Sequence, residues 1–151
     1  MKKVHFISIG GSVMHSLAIE LKRRGFDVTG SDDEIYEPSK SSLLDNNLLP
    51  KKLGWCEKNI KDELDFVILG MHAKSDNIEL KIATEKKIKV YSFPEFIYEH
   101  SKNKTRVVIG GSHGKTTITS MILHVLEKNN FKTDYLLGAK VKGFTNSVHL
   151  S

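Results

Sequence analysis

Val107-Val108-Ile109-Gly110-Gly111-Ser112-His113-Gly114-Lys115-Thr116-Thr117 is the stretch that decides how this chain is read. A short apolar run leads into a glycine-rich turn, and Lys-Thr-Thr opens a helix. Backbone N–H groups of such a turn form an anion nest. The helix behind adds the positive end of its dipole. In this pattern Lys115 reaches the terminal phosphates of a nucleotide, and the Thr116 hydroxyl ligates Mg²⁺. The alternative is an ordinary β–α turn, but Gly-Lys-Thr stands between strand and helix as phosphate binding requires. One position departs from the usual pattern: Ile109 stands where the first glycine belongs. The loop is one residue tighter if Gly110 takes that role.

Upstream, the chain alternates strand and helix patterns, which predicts α/β architecture with a parallel sheet. Val4–Ile9 reads as the first strand. A helix follows to about Arg24, with Met14, Leu17, Ala18 and Leu21 on one face. Gly25 suits the position after a helix end. Phe26–Gly30 is the second strand, and residues 39–46 a helix after Pro38. Phe66–Leu69 is an apolar strand buried on both faces. Asn77 caps a helix reaching about Lys87. Val90–Ser92 and Pro94–His100 are a short strand and a short helix.

Residues 101–104 are polar and aperiodic, so a boundary falls there. This divides the chain into a Rossmann-like unit, residues 1–103, and the beginning of a P-loop ATPase domain, residues 104–151. In the second unit Thr105–Ile109 is expected as a strand. The helix after the loop carries Ile118, Met121, Ile122, Val125 and Leu126 at core spacing. Tyr135–Leu137 is a further strand. A P-loop domain needs more strands and helices than this, so that apolar helix face lacks a cover and predicts self-association.

Bulk properties narrow the function classes. The chain has 151 residues, a net charge of +5 and a single Cys56. That excludes an internal disulfide or a cysteine zinc cluster and suits a reducing cytoplasm. No apolar stretch is long enough to span a membrane. The charged N-terminus runs into Gly-Gly and a polar helix, so it reads as a strand and not as a signal peptide. Lysines are interleaved with acids, without the basic stripe and aromatic partners of a nucleic-acid binder.

A second glycine-rich turn, Gly10-Gly11-Ser12, joins the first strand to the first helix. Against the dinucleotide fingerprint G-x-G-x-x-G, Ser8 and Val13 replace the outer glycines. The turn still allows close approach of a diphosphate, and Asp32 lies where an acid takes ribose hydroxyls. The competing reading is a plain turn with Asp32 as a solvated loop acid. His72 follows the third strand at the edge where ligands bind in open α/β sheets. It is either a substrate contact or a loop histidine held by backbone. His15, in the first turn of the first helix, either approaches the diphosphate or is an exposed helix residue, the second being the default.

A glycine-rich turn on strand one, Gly30-Ser31-Asp32 after strand two and Gly-Ser-His-Gly-Lys-Thr-Thr near residue 110 together resemble the Mur ligases of peptidoglycan synthesis. The resemblance is to the branch acting on UDP-N-acetylmuramate and covers essentially the whole chain. Gly30-Ser31-Asp32-Asp33-Glu34-Ile35-Tyr36-Glu37-Pro38-Ser39 and the absent third glycine at Val13 are closer to the peptide-joining members than to the L-alanine-joining ones.

The resemblance implies ATP-dependent amide formation through an acyl phosphate, with L-Ala-γ-D-Glu-meso-diaminopimelate as the amine. It implies ATP and Mg²⁺ as cofactors, with Lys115 as the catalytic residue. Gly111, Ser112, His113, Gly114, Lys115, Thr116 and Thr117 would hold the phosphates, and Thr116 the Mg²⁺. Gly10, Gly11, Ser12, Asp32 and His72 would hold the UDP-substrate. His113 either faces the phosphates or supports the loop. Family members have three domains, so the chain matches a first domain and the opening of a second, and alone is expected not to ligate. A non-catalytic UDP-sugar module, a NAD-dependent protein and a small P-loop kinase are the competing readings.

Overall fold

A computed structural model describes residues 1–151. Four strands, β1 (Lys3–Ile7), β2 (Asp27–Ser31), β3 (Phe66–Leu69) and β4 (Lys89–Ser92), form one sheet in the order β2-β1-β3-β4. Every pairing in it is parallel. The helices are α1 (Met14–Arg23), α2 (Ser39–Asp45), α3 (Ile78–Glu85), α4 (Phe93–Ser101) and α5 (Lys115–Lys128).

Alternation along the strands sorts side chains to two faces. Val4, Phe6, Phe66 and Ile68 pack with Leu17, Ala18 and Leu21 of α1 and with Leu43 of α2. Ile7 and Val67 point to the other face, against Ala83 of α3 and Ile60. Each such Val, Leu, Ile or Phe side chain, fully buried, contributes roughly 1.5–3 kcal/mol. His5 shares the face of Ile7 and is also buried.

Local signals explain the element ends. Gly25 takes φ +85° after α1, and its amide donates to the Lys22 carbonyl at 2.9 Å. The Asn77 side chain accepts from the amides of Glu79 (2.9 Å) and Leu80 (3.2 Å), so it caps α3 as expected. Ser92 and Glu95 form a reciprocal capping box at α4. β1 ends two residues earlier than its apolar run suggests, because Ser8 turns the backbone to φ 67°.

One expectation for residues 104–151 needs correction. Thr105–Ile109 belongs to no sheet: Val107 and Val108 are 77% and 87% exposed, and no strand lies beside them. The apolar face of α5, which has core spacing, lacks a cover as expected. Met121 and Val125 are 64% and 58% exposed, and Leu123 alone on that helix is buried. β5 (Tyr135–Leu136) pairs antiparallel with β6 (Val148–His149), a strand the sequence pattern does not announce. β6 packs on α1, so that Val148 and the following Leu150 join the core around Val4, Phe6 and Leu17.

Candidate functional site

In the order β2-β1-β3-β4 the connections leave β1 and β3 in opposite directions, which opens a crevice at their carboxyl ends. A cleft of about 730 Å³ lies there. Gly10, Gly11, Ser12, Asp32 and His72, all five residues expected to hold the UDP-substrate, line it.

The floor is the turn after β1. Ser8 occupies the first glycine position of the fingerprint and adopts the left-handed conformation that a glycine there would supply. Its close approach to β3 leaves no room at Gly70, where a Cβ would lie 2.7 Å from the Ser8 Cβ. No acceptor within the chain takes the amides of Ser12, Val13 or Met14. These three amides open α1, where the helix dipole favours an anion, and of the three residues Ser12 lines the cleft.

Asp32 has a definite local task. Its Oδ2 accepts the Gly10 amide at 2.7 Å and its Oδ1 the Asp33 amide at 3.0 Å. Burial pushes the Asp32 carboxyl above its ordinary range, with the Gly10 bond opposing the shift. Both oxygens thus brace the turn that leads into α1.

The other wall was not visible in the sequence. Residues more than a hundred positions away, among them Lys140, Thr145 and Asn146, line the same cleft with Arg23 of α1. His15 is half-buried and not an exposed helix residue. Its Nδ1 lies 2.9 Å from the Gly11 carbonyl oxygen and 3.0 Å from the Ser39 hydroxyl. Burial holds its pKa below the usual histidine value.

The glycine-rich loop before α5 is a separate, open site. Gly114 caps α5 in the left-handed conformation at φ 78°, and no backbone acceptor takes the amides of residues 110–117. The Lys115 ammonium lies over the loop, donating to the carbonyls of Gly111 (2.6 Å) and Ser112 (3.2 Å). Ser112, His113 and Thr117 are exposed around it, and Thr116, in the first turn of the helix, is half-buried. This donor set fits a polyphosphate: converging amides, a lysine over the loop and a hydroxyl one residue on. The loop and the cleft meet at Gly138, where a Cβ would lie 3.9 Å from Thr116 Oγ1 while Gly138 itself lines the cleft.

Residues 3–105 match the family model described as the Mur ligase family, catalytic domain. The chain belongs to the Mur ligase family. Among curated relatives of this Mur ligase chain, the UDP-N-acetylmuramate–L-alanine ligase of Sulfurihydrogenibium sp. is 35% identical over 99% of it. The UDP-N-acetylmuramate–L-alanyl-γ-D-glutamyl-meso-2,6-diaminoheptandioate ligase of Haemophilus influenzae is 31% identical, again over 99%. The chain spans 32% and 33% of those two proteins. Among solved structures, the peptide ligase of Neisseria meningitidis superposes with a TM-score of 0.84 at 29% identity, covering 99% of this chain and 47% of that one. The alanine ligase of Thermotoga maritima gives 0.81 at 26%, covering 99% and 35%. The α/β fold with its parallel sheet is therefore the one this Mur ligase chain shares with both kinds of enzyme.

A buried polar cluster lies on the far face of the sheet. Glu79 of α3 accepts from the Cys56 amide (3.0 Å), Asn59 Nδ2 (2.7 Å) and the Ser31 hydroxyl, and it lies 3.2 Å from His5 Nε2. Burial acts to raise the Glu79 carboxyl, but these partners outweigh it and hold it below its usual value. His5 and Glu79 are essentially without solvent exposure, so this group fixes α3 against the sheet and lies away from the cleft.

Proposed function

We propose that this chain is the substrate-binding and phosphate-binding portion of an ATP-dependent ligase acting on UDP-N-acetylmuramate. The observation that carries the reading is the junction at Gly138, where the crevice and the glycine-rich loop before α5 adjoin. A ligase must bring a sugar-linked carboxylate and a nucleotide phosphate together, and two anion sites sharing one wall serve that need.

On this reading the diphosphate of the UDP-sugar rests on the amides of Ser12, Val13 and Met14, with Gly10 and Gly11 allowing close approach. Asp32 holds the turn in shape, and His72 faces the ligand across the crevice. Gly111, Ser112, His113, Gly114 and Thr117 cradle the nucleotide phosphates. Lys115 offsets their charge, and Thr116 supplies a hydroxyl for Mg²⁺. When bound, ATP supplies the phosphoryl group that makes the muramoyl carboxylate reactive toward an amine. Two anions must approach each other in that step, so fixed donors and a lysine lower its barrier.

The amine we favour is the peptide L-Ala-γ-D-Glu-meso-diaminopimelate, supported by the likeness to the Neisseria meningitidis enzyme. L-alanine is the second reading, supported by the Sulfurihydrogenibium relative. The proposed division of labour is residues 1–103 for the UDP-substrate and residues 104–151 for ATP, in a cytoplasmic protein.

Calorimetric titration with UDP-N-acetylmuramate, with NAD as the control, tests the core of this reading. Binding of the UDP-sugar without a response to NAD supports it. A response to NAD alone, or to neither by a chain shown folded by circular dichroism, overturns it.

A further inference from the structure

We infer that Lys140 is a positioning residue for the anionic part of the cleft's ligand, carried to the first unit's cleft by the Gly138–Ser147 loop of the second. The inference rests on the proposed UDP-sugar reading and adds a residue that belongs to neither glycine-rich turn.

Three observations carry it. First, the loop's position is fixed. Asn146 Nδ2 donates to the Ser16 carbonyl of α1 at 2.8 Å, and the Leu150 amide donates to Glu20 Oε1 at 3.0 Å. Val148 and Leu150 lie in the core beneath α1. A loop pinned at its far end by core packing and two hydrogen bonds presents its side chains at a defined place.

Second, Lys140 is a cation without a partner. It lines the cleft with Asp33, Glu34 and Asp45, yet it makes no ion pair and no hydrogen bond. The nearby acids have other tasks: Asp32 braces the Gly10 turn, Glu37 accepts the Ser41 amide and Glu34 takes the Tyr36 hydroxyl. An unpaired ammonium in a cleft that Ser12 also lines suits an anionic ligand.

Third, Lys140 faces the start of α1. Its charge contributes, after burial, to lowering the proton affinity of His15, which itself contacts Gly11. It also follows Gly138, the residue beside Thr116, by two positions. Lys140 and Gly138 both line the cleft that holds the UDP-sugar on the proposed reading.

The test is calorimetric titration of the 151-residue chain with UDP-N-acetylmuramate and with UDP, comparing wild type, K140A, K140R and K142A. Lys142 is in the same loop but does not line the cleft. K140A should weaken UDP-N-acetylmuramate binding about tenfold, as loss of one charge-assisted hydrogen bond predicts. K140R should retain most of the affinity, and K142A all of it. Equal weakening toward UDP assigns Lys140 to the diphosphate, whereas weakening toward UDP-N-acetylmuramate alone assigns it to the carboxylate. K140A binding like wild type, or K142A losing as much as K140A, overturns the inference and leaves the functional reading standing. Absence of wild-type binding overturns the functional reading itself, and the inference with it.

Discussion

The carboxylate of Asp32 accepts the amide hydrogen of Gly10 at 2.7 Å, so the residue after β2 holds the turn after β1 in shape. The space between them is already filled, since a Cβ on Gly10 would lie 2.9 Å from that same oxygen. Turn and acid act as one rigid unit.

Asp32→Ala should therefore cost stability as well as ligand binding. The amides of Gly10 and Asp33 both lose their acceptor, a loss worth about 1–3 kcal/mol. Urea unfolding of the two proteins measures it. A variant as stable as wild type would show that water replaces the carboxylate without cost.

Gly70→Ala tests the left-handed Ser8 from the opposite side. The new methyl would meet the Ser8 Cβ at 2.7 Å and the Ile7 carbonyl oxygen at 3.0 Å. Overpacking of this kind costs about 1–3 kcal/mol. The expected readout is a lower thermal midpoint together with weaker UDP-sugar binding; an unchanged midpoint would mean that β3 yields to the methyl group.

Glu79 makes stability depend on pH. Its folded-state pKa lies below the ordinary 4.5, because the donors from His5, Cys56, Ser31 and Asn59 outweigh the effect of burial. Its contribution is complete above pH 4.5 and is lost as the pH falls from there through the folded value. Glu79→Gln should lower stability at neutral pH by about 1–3 kcal/mol, since an amide offers one acceptor oxygen where the carboxylate offered two. It should also flatten this part of the acid limb. Denaturation curves from pH 7 down to pH 3 compare the slopes, and parallel curves would exclude Glu79 as their source.

Lys115→Ala should separate the two anion sites. Lys115 is exposed and bonds only to carbonyls of its own loop, so the fold should persist. Titration with a fluorescent ATP analogue and Mg²⁺ should show about a tenfold or greater loss, as for removal of a charge-assisted bond to phosphate. UDP-N-acetylmuramate should bind as before. If both ligands weaken alike, the sites are not independent.

The exposed face of α5 should drive association. Ile118, Met121, Ile122 and Val125 together form an apolar stripe that water covers. Sedimentation velocity should show mass rising with concentration, and M121E/V125E should remain monomeric. A wild-type chain that is monomeric throughout the range would refute this.

The elements of the parallel sheet were legible because their signals are local. Gly25, Asn77 and Ser92 mark helix ends by their own chemistry, and Phe66–Leu69 has the unbroken apolar pattern of a strand with two covered faces. The floor of the cleft was legible for the same reason, as glycines beside a helix start. The second wall was not. What places Lys140 and Asn146 there is the burial of Val148 and Leu150 under α1, and no periodicity near residue 140 encodes it. Thr105–Ile109 misled for the opposite reason: its residues favour a strand, but a strand needs a neighbour to pair with. Ser8 shows that the missing glycine of the fingerprint was a poor guide, since the backbone takes the glycine conformation without it.

The docking of β6 on α1 has a consequence for synthesis on the ribosome. Val148 and Leu150 leave the ribosome long after α1, yet they share one hydrophobic core with Leu17 and its neighbours. A nascent chain released only as far as residue 103 would hold a complete β2-β1-β3-β4 sheet with one flank of α1 still bare. Until translation has passed residue 150, that flank is a surface on which a chaperone or another nascent chain can settle.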